Sequence, residues 1–120
     1  MNAETDDDAR LRERIVGTWE ATETRRKFLF FTLHVTARKT YDPDGTWEMT
    51  NLIHETGESN VRWTGSWEII DGVLHERLEH SNVPTRSPLG TVTAAVIRRL
   101  DDRVLDLTES DSDPNIWHRA

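Results

Sequence analysis

The sequence predicts an all-β protein: an eight-stranded, up-and-down antiparallel barrel preceded by a short N-terminal helix. Three observations lead there. Apolar residues recur with a period of two along most of the chain, the pattern of strands that bury one face. Turn signals separate consecutive runs, so that each joins the next as a hairpin. Gly17-Thr18-Trp19 heads the first run and Arg119 lies in the last. A closed barrel sets its first and last strands side by side, where an indole and a guanidinium can stack. Closure also removes the free edges through which sheets aggregate.

The elements follow in order. Residues 1–8 are polar and acidic, and Asp6, Asp7 and Asp8 suit the start of a helix over about 7–15, with Leu11 and Ile15 on one face. Strand-like runs then occupy 16–25, 28–41, 46–55, 61–70, 73–80, 91–100, 103–109 and 115–120. Asp42-Pro43-Asp44-Gly45, Asp71-Gly72 and Asp101-Asp102 are tight turns. The stretches 56–60, 81–90 and 110–114 are longer loops, and the second carries Pro84, Pro88 and Gly90. In an up-and-down order the three tight turns share one end, which should be shut. The other connections share the opposite end, which should be the mouth. The helix, the C-terminus, Trp19 and Arg119 all fall at the shut end. The chain thus divides into an acidic segment with its helix, 1–14, and a barrel, 15–120.

Composition narrows the function. The chain has 120 residues, 35% of them hydrophobic, enough for one core. A net charge of -7 and a pI near 5.2 argue against a nucleic-acid or anionic-membrane partner, since both need a basic face. Without cysteine there is no disulfide framework, thiol nucleophile or thiolate metal site. The acidic N-terminus does not read as a secretory signal, and no apolar stretch approaches the roughly 18 residues of a membrane span. The expectation is a cytoplasmic monomer or homodimer. Only Lys27 and Lys39 are lysines among fifteen Lys and Arg, a usage associated with GC-rich bacterial genomes.

Alternation assigns the faces. Trp19, Tyr41, Trp47, Trp67 and Trp117 point inward near the shut end and form a packed plug. The mouth half should be lined by Phe31, Leu33, Met49, Asn51, Ile53, Trp63, Leu78, Ala94 and Val96, an apolar wall of the kind that binds small molecules. Gly65, Ala37 and Ala94 are small and leave volume there. Lys39 is also read as inward. Glu76 and Arg98 are read as inward on neighbouring strands, where a buried charge needs a partner. They either pair with each other, or Arg98 takes a ligand carboxylate or enolate while Glu76 holds it. His80, read as inward at the mouth, is with Glu76 the candidate acid–base residue, or else a solvated rim group. His75 faces the other way, and no spacing supports a metal or cofactor site. Arg25-Arg26-Lys27 forms a basic spot on the lip, either a guide for an anionic ligand or an ordinary charged hairpin.

Gly17-Thr18-Trp19 on the first strand with Arg119 on the last resembles the Gly-x-Trp and closing-Arg signature of lipocalins. Tyr41-Asp42-Pro43-Asp44-Gly45-Thr46-Trp47 and Gly65-Ser66-Trp67-Glu68-Ile69 are similar to small bacterial lipocalin-like (calycin) domains, and the resemblance spans roughly residues 15–120. The Thr-Asp-Tyr motif of secreted lipocalins is missing; Leu100-Asp101-Asp102-Arg103 stands near its place. The resemblance implies a barrel with Gly17, Trp19 and Arg119 as structural residues, and capture of a small hydrophobic molecule at the open end. Some related bacterial barrels fold a reactive polyene or polyketide for cyclisation instead.

Three functions therefore stand side by side. One is binding of a small hydrophobic molecule that carries a carboxylate or carbonyl. Another is a cofactor-free cyclase or isomerase using Glu76, His80 or Asn51, with the 81–90 loop or the N-terminal segment as a lid. The last is an interaction module with a filled interior. No nucleophile elbow or phosphate loop names a reaction.

Overall fold

The computed structural model describes residues 5–27, 31–85, 87–109 and 115–120, except for the side chains of 24–27, 31 and 109. A helix, α1 (Asp6–Ile15), precedes eight strands: β1 (Gly17–Lys27), β2 (Phe31–Tyr41), β3 (Thr46–Ile53), β4 (Arg62–Ile70), β5 (Val73–Ser81), β6 (Val92–Leu100), β7 (Val104–Glu109) and β8 (Asn115–Arg119). Every strand pairs antiparallel with the next, and β1 pairs with β8, so the sheet is a closed up-and-down barrel.

The closure is the one expected. Trp19 and Arg119 are Cα partners across β1 and β8, and the guanidinium carbon lies 4.2 Å from the indole centroid. The same guanidinium donates to the carbonyls of Asp102 (2.8 Å), Val16 (3.2 Å) and Arg14 (2.7 Å). One side chain thus ties the last strand to the end of α1 and to the β6–β7 turn. Gly17 has φ +130°, and a Cβ there would stand 2.7 Å from Arg119 Nη1, so glycine is what lets the guanidinium approach.

The shut end is sealed by side chain and helix together. Thr5 caps α1, its hydroxyl accepting from Asp8 N at 3.1 Å. Asp8 then turns its carboxylate to the backbone N–H groups of Asp71 and Gly72, both at 2.9 Å. Those two residues have φ of 53° and 74°, the left-handed geometry that an Asp-Gly hairpin turn requires. Ile15 at the end of the helix is buried together with Trp19, Tyr41, Trp47, Trp67, Leu74 and Leu105 of the barrel. Indole N–H groups inside this plug find carbonyls: Trp19 donates to Ile15 (2.8 Å), Trp67 to Thr46 (2.9 Å) and Trp47 to Ser66 (3.0 Å). Burial of these rings therefore leaves no donor stranded, and a stranded one would cost about 1–3 kcal/mol.

Two β-bulges change which residues face in. Thr64 pairs with His80 but Gly65 pairs with Leu78, so Glu79 is an extra residue in β5. Beyond it the alternation inverts. Ser81 comes to face Trp63 inside, and His80 pairs with Thr64 on the outer surface. In β6, Ile97 pairs with Leu107 and Arg99 with Asp106, which leaves Arg98 as the extra residue. Leu100 packs against the core as expected, but upstream of the bulge the inward set is Thr93, Ala95 and Ile97. Ala95 is buried and sits opposite buried Leu74, whereas Val92, Ala94, Val96 and Arg98 are exposed.

Among the described residues no helix is long and apolar enough to cross a membrane.

Candidate functional site

A cavity of about 610 Å³ opens at the end of the barrel that carries the longer connections. Its floor and lower wall are Lys39 of β2, Trp47 and Met49 of β3, and Glu76 of β5. Trp63 of β4, Leu78 of β5 and Thr93 of β6 continue the wall upward. Pro84, Thr85, Ser87 and Thr91 of the β5–β6 connection form one side of the opening. Gly65, expected to leave volume in the cavity, is instead where the β5 backbone and the Trp47 ring pack closely against β4. A Cβ at that position would lie 1.8 Å from Arg77 O and 2.9 Å from Trp47 Nε1, so any larger residue would displace strand or ring. Arg77 O is turned inward there, next to the β5 bulge, and accepts from the Trp47 indole at 3.3 Å.

The floor is the polar part of the site. The Lys39 ammonium lies 3.0 and 3.2 Å from the two Glu76 carboxylate oxygens, and the Tyr41 hydroxyl donates to Glu76 Oε1 at 2.5 Å. The ion-pair side chains are only 12% and 11% exposed. Three rings surround the ammonium: Trp117 at 5.1 Å, Trp47 at 5.3 Å and Tyr41 at 5.7 Å to their centroids. Each offers its negative face to the cation. Burial pushes the Tyr41 phenol well above its ordinary pKa, and the adjacent Glu76 carboxylate adds to the shift. Tyr41 is therefore a fixed hydrogen-bond donor at neutral pH, not an acid that ionises. Higher in the cavity wall, the Trp63 indole N–H is buried with no hydrogen-bond partner among the described residues.

The expected site residues divide into groups. Met49, Trp63, Leu78 and Glu76 come together around the cavity. Leu33 and Ile53 are half-buried on strands β2 and β3, outside the cavity lining. Asn51 holds the β3–β4 loop: its Oδ1 accepts from Asn60 N (3.0 Å) and Val61 N (2.9 Å), and its Nδ2 donates to Asn60 Oδ1 (2.8 Å). Its amide is satisfied by backbone and neighbour, the structural alternative to a ligand contact. Ala94, Val96 and Arg98 lie on the outer face because of the β6 bulge, and His80 because of the β5 bulge. The expected Glu76–Arg98 pair is thereby replaced by Glu76–Lys39, formed across the barrel interior between strands that are not neighbours. The side chain of Phe31 and those of Arg25, Arg26 and Lys27 lie outside the described residues.

Trp47, Thr93 and the β5–β6 residues join the site beyond the binding residues the sequence predicts, and Lys39, predicted only to face inward, forms part of its floor. Trp47 serves both plug and cavity. Lys39 had one available signal, a lone lysine on an otherwise apolar inward face. A second hollow of about 310 Å³ lies outside the barrel over β4 and β5, lined by Ser66, Glu68, His75, Arg77 and Val92 among others. Among the described residues no group of three His, Asp or Glu side chains is arranged to hold a metal ion. No protein-family model and no curated protein matches the chain.

Proposed function

We propose that this protein binds a small hydrophobic molecule inside its barrel, as a lipocalin-like domain does. The observation that carries the reading is the cavity itself. At about 610 Å³ it falls within the range of roughly 300–1,000 Å³ typical of small-molecule sites. Trp47, Met49, Trp63 and Leu78 give it an apolar wall, and a few polar groups converge at its floor. The Trp19–Arg119 closure agrees with the lipocalin resemblance, and the shut end leaves the loop end as the entrance. A second reading, a cofactor-free cyclase or isomerase, draws on Glu76, which lines the cavity beside Tyr41 and Lys39. Binding is preferred because both Glu76 oxygens already accept hydrogen bonds, leaving few lone pairs for a base to use.

Titration with N-phenyl-1-naphthylamine, an uncharged fluorescent probe, tests the proposal. Saturable binding should weaken about tenfold or more in Trp63→Ala, which removes a wall. Glu68→Ala, which alters only the outer hollow, should leave it unchanged. Equal weakening in both variants, or no binding to the native protein, would overturn the proposal. Native mass spectrometry of freshly purified protein, searched for a retained small molecule, adds the identity of a ligand.

A further inference from the structure

The cavity floor holds one positive and one negative charge, and this balance says what kind of ligand it accepts. We infer that the ligand is an uncharged carbonyl compound with an apolar, ring-bearing body, and that the Lys39–Glu76 pair turns carboxylic acids away. The inference rests on the binding reading above and narrows it.

An ammonium has three N–H donors. The two Glu76 oxygens, at 3.0 and 3.2 Å, engage at most two of them. Around the rest of Lys39 stand the faces of Trp117, Trp47 and Tyr41, which attract the charge but supply no oxygen acceptor. At least one strong donor therefore remains in a residue that lines the cavity. The unmet Lys39 donor calls for an acceptor on the ligand.

Charge then decides which acceptor. The pair is neutral as it stands, and its side chains are only 12% and 11% exposed. A carboxylate ligand would set a second anion beside Glu76 with no further cation among the described cavity-lining residues. Two carboxylates that share one site do not both ionise freely, so an acid would enter only by taking up a proton. An ammonium ligand meets the opposite difficulty with Lys39. A ketone, lactone or amide oxygen accepts from Lys39 without disturbing the balance. The flat side chains of Trp47 and Trp63 suit a ring-bearing body.

Three probes of one shape separate the possibilities: 2-acetylnaphthalene, 2-naphthoate and naphthalene, titrated calorimetrically at pH 8. The ketone should bind about tenfold more tightly than either of the others, the contrast expected for one hydrogen bond from a charged donor. In Glu76→Gln the floor keeps its cation but loses its anion, and naphthoate should overtake the ketone. Where that variant does not fold, Lys39→Met combined with Glu76→Leu makes the floor apolar, and the ketone should fall to the affinity of naphthalene. Naphthoate binding to the native protein as tightly as the ketone would overturn the inference, and so would naphthalene doing so, while either result leaves a binding cavity in place. Failure of all three probes would overturn the binding reading and this inference with it.

Discussion

Lys39 is one of two lysines in the chain, and it sits where a lysine is most costly, inside the barrel. Glu76 and three aromatic faces compensate it. Taking away one member of such a pair strands the other, at a cost of roughly 3–5 kcal/mol, whereas replacing both with apolar residues of similar volume is often neutral or stabilising. Glu76→Ala should therefore lower the urea-unfolding free energy by about 3 kcal/mol or more, and Lys39→Met with Glu76→Leu should recover most of the loss. Equal losses in the single and double variants would show that the residues contribute packing and not charge balance. Gly65 is another interior residue that tolerates no larger side chain. Its would-be Cβ meets the backbone oxygen of Arg77 at 1.8 Å, which no rotamer change relieves. Gly65→Ala should destabilise by about 3 kcal/mol, the upper part of the usual over-packing range, read in the same denaturation experiment.

At the level of elements, the strands and tight turns are legible in the sequence because their signals are local. Asp71-Gly72 supplies left-handed conformers where a hairpin needs them, and Trp63, Gly65, Trp67 and Ile69 alternate cleanly. The bulges are not legible. Nothing local marks Glu79 or Arg98 as extra residues, since bulge placement follows from how two strands pair. Strand β6 suffers most: Val92, Ala94 and Val96 on one face are as apolar as Ala95 and Ile97 on the other. The Lys39–Glu76 pair was hidden for a different reason. Neighbour relations along a meander point Glu76 toward β4 and β6, while its true partner reaches it from β2 through the interior.

Turns carry a prediction of their own. Asp101 accepts from Arg103 N and Val104 N, both at 2.8 Å, and these bonds hold its pKa at about 2 against an ordinary 3.8. Asp8, Asp44 and Glu55 are also held below their ordinary values, each chiefly by hydrogen bonds from N–H or hydroxyl groups. A carboxyl with a depressed folded-state pKa stabilises the fold fully above its unfolded pKa, and that stabilisation is lost as pH falls through the folded value. The thermal midpoint should therefore decline as pH drops from about 4 to about 2. Asp101→Asn should begin lower at pH 7 and decline less across that window. An identical acid response in variant and parent would remove the β6–β7 turn from the account.

For the molecule as a whole, closure is the property on which the interior depends. Arg119 joins β8, α1 and the β6–β7 turn through one guanidinium. Arg119→Met keeps the length of the side chain but loses the carbonyl contacts and the cation–π stack on Trp19. It should cost about 2 kcal/mol, and Arg119→Lys should recover only part, because an ammonium cannot reproduce the planar fork. The shut end, built from α1, the Asp8 contacts and the aromatic plug, leaves the opposite end as the way in.

The central claim is that small molecules enter the barrel and do not lodge on its outside. It is tested most directly by titrating ¹⁵N-labelled protein with N-phenyl-1-naphthylamine and following the backbone amides together with the five tryptophan indole signals. Saturable shifts should appear at the Trp63 and Trp47 indoles and at the amides of Met49, Leu78 and Thr93, while the Trp19 indole stays still. Shifts centred on Ser66, His75, Arg77 and Val92 would instead put the ligand in the outer hollow and contradict the account.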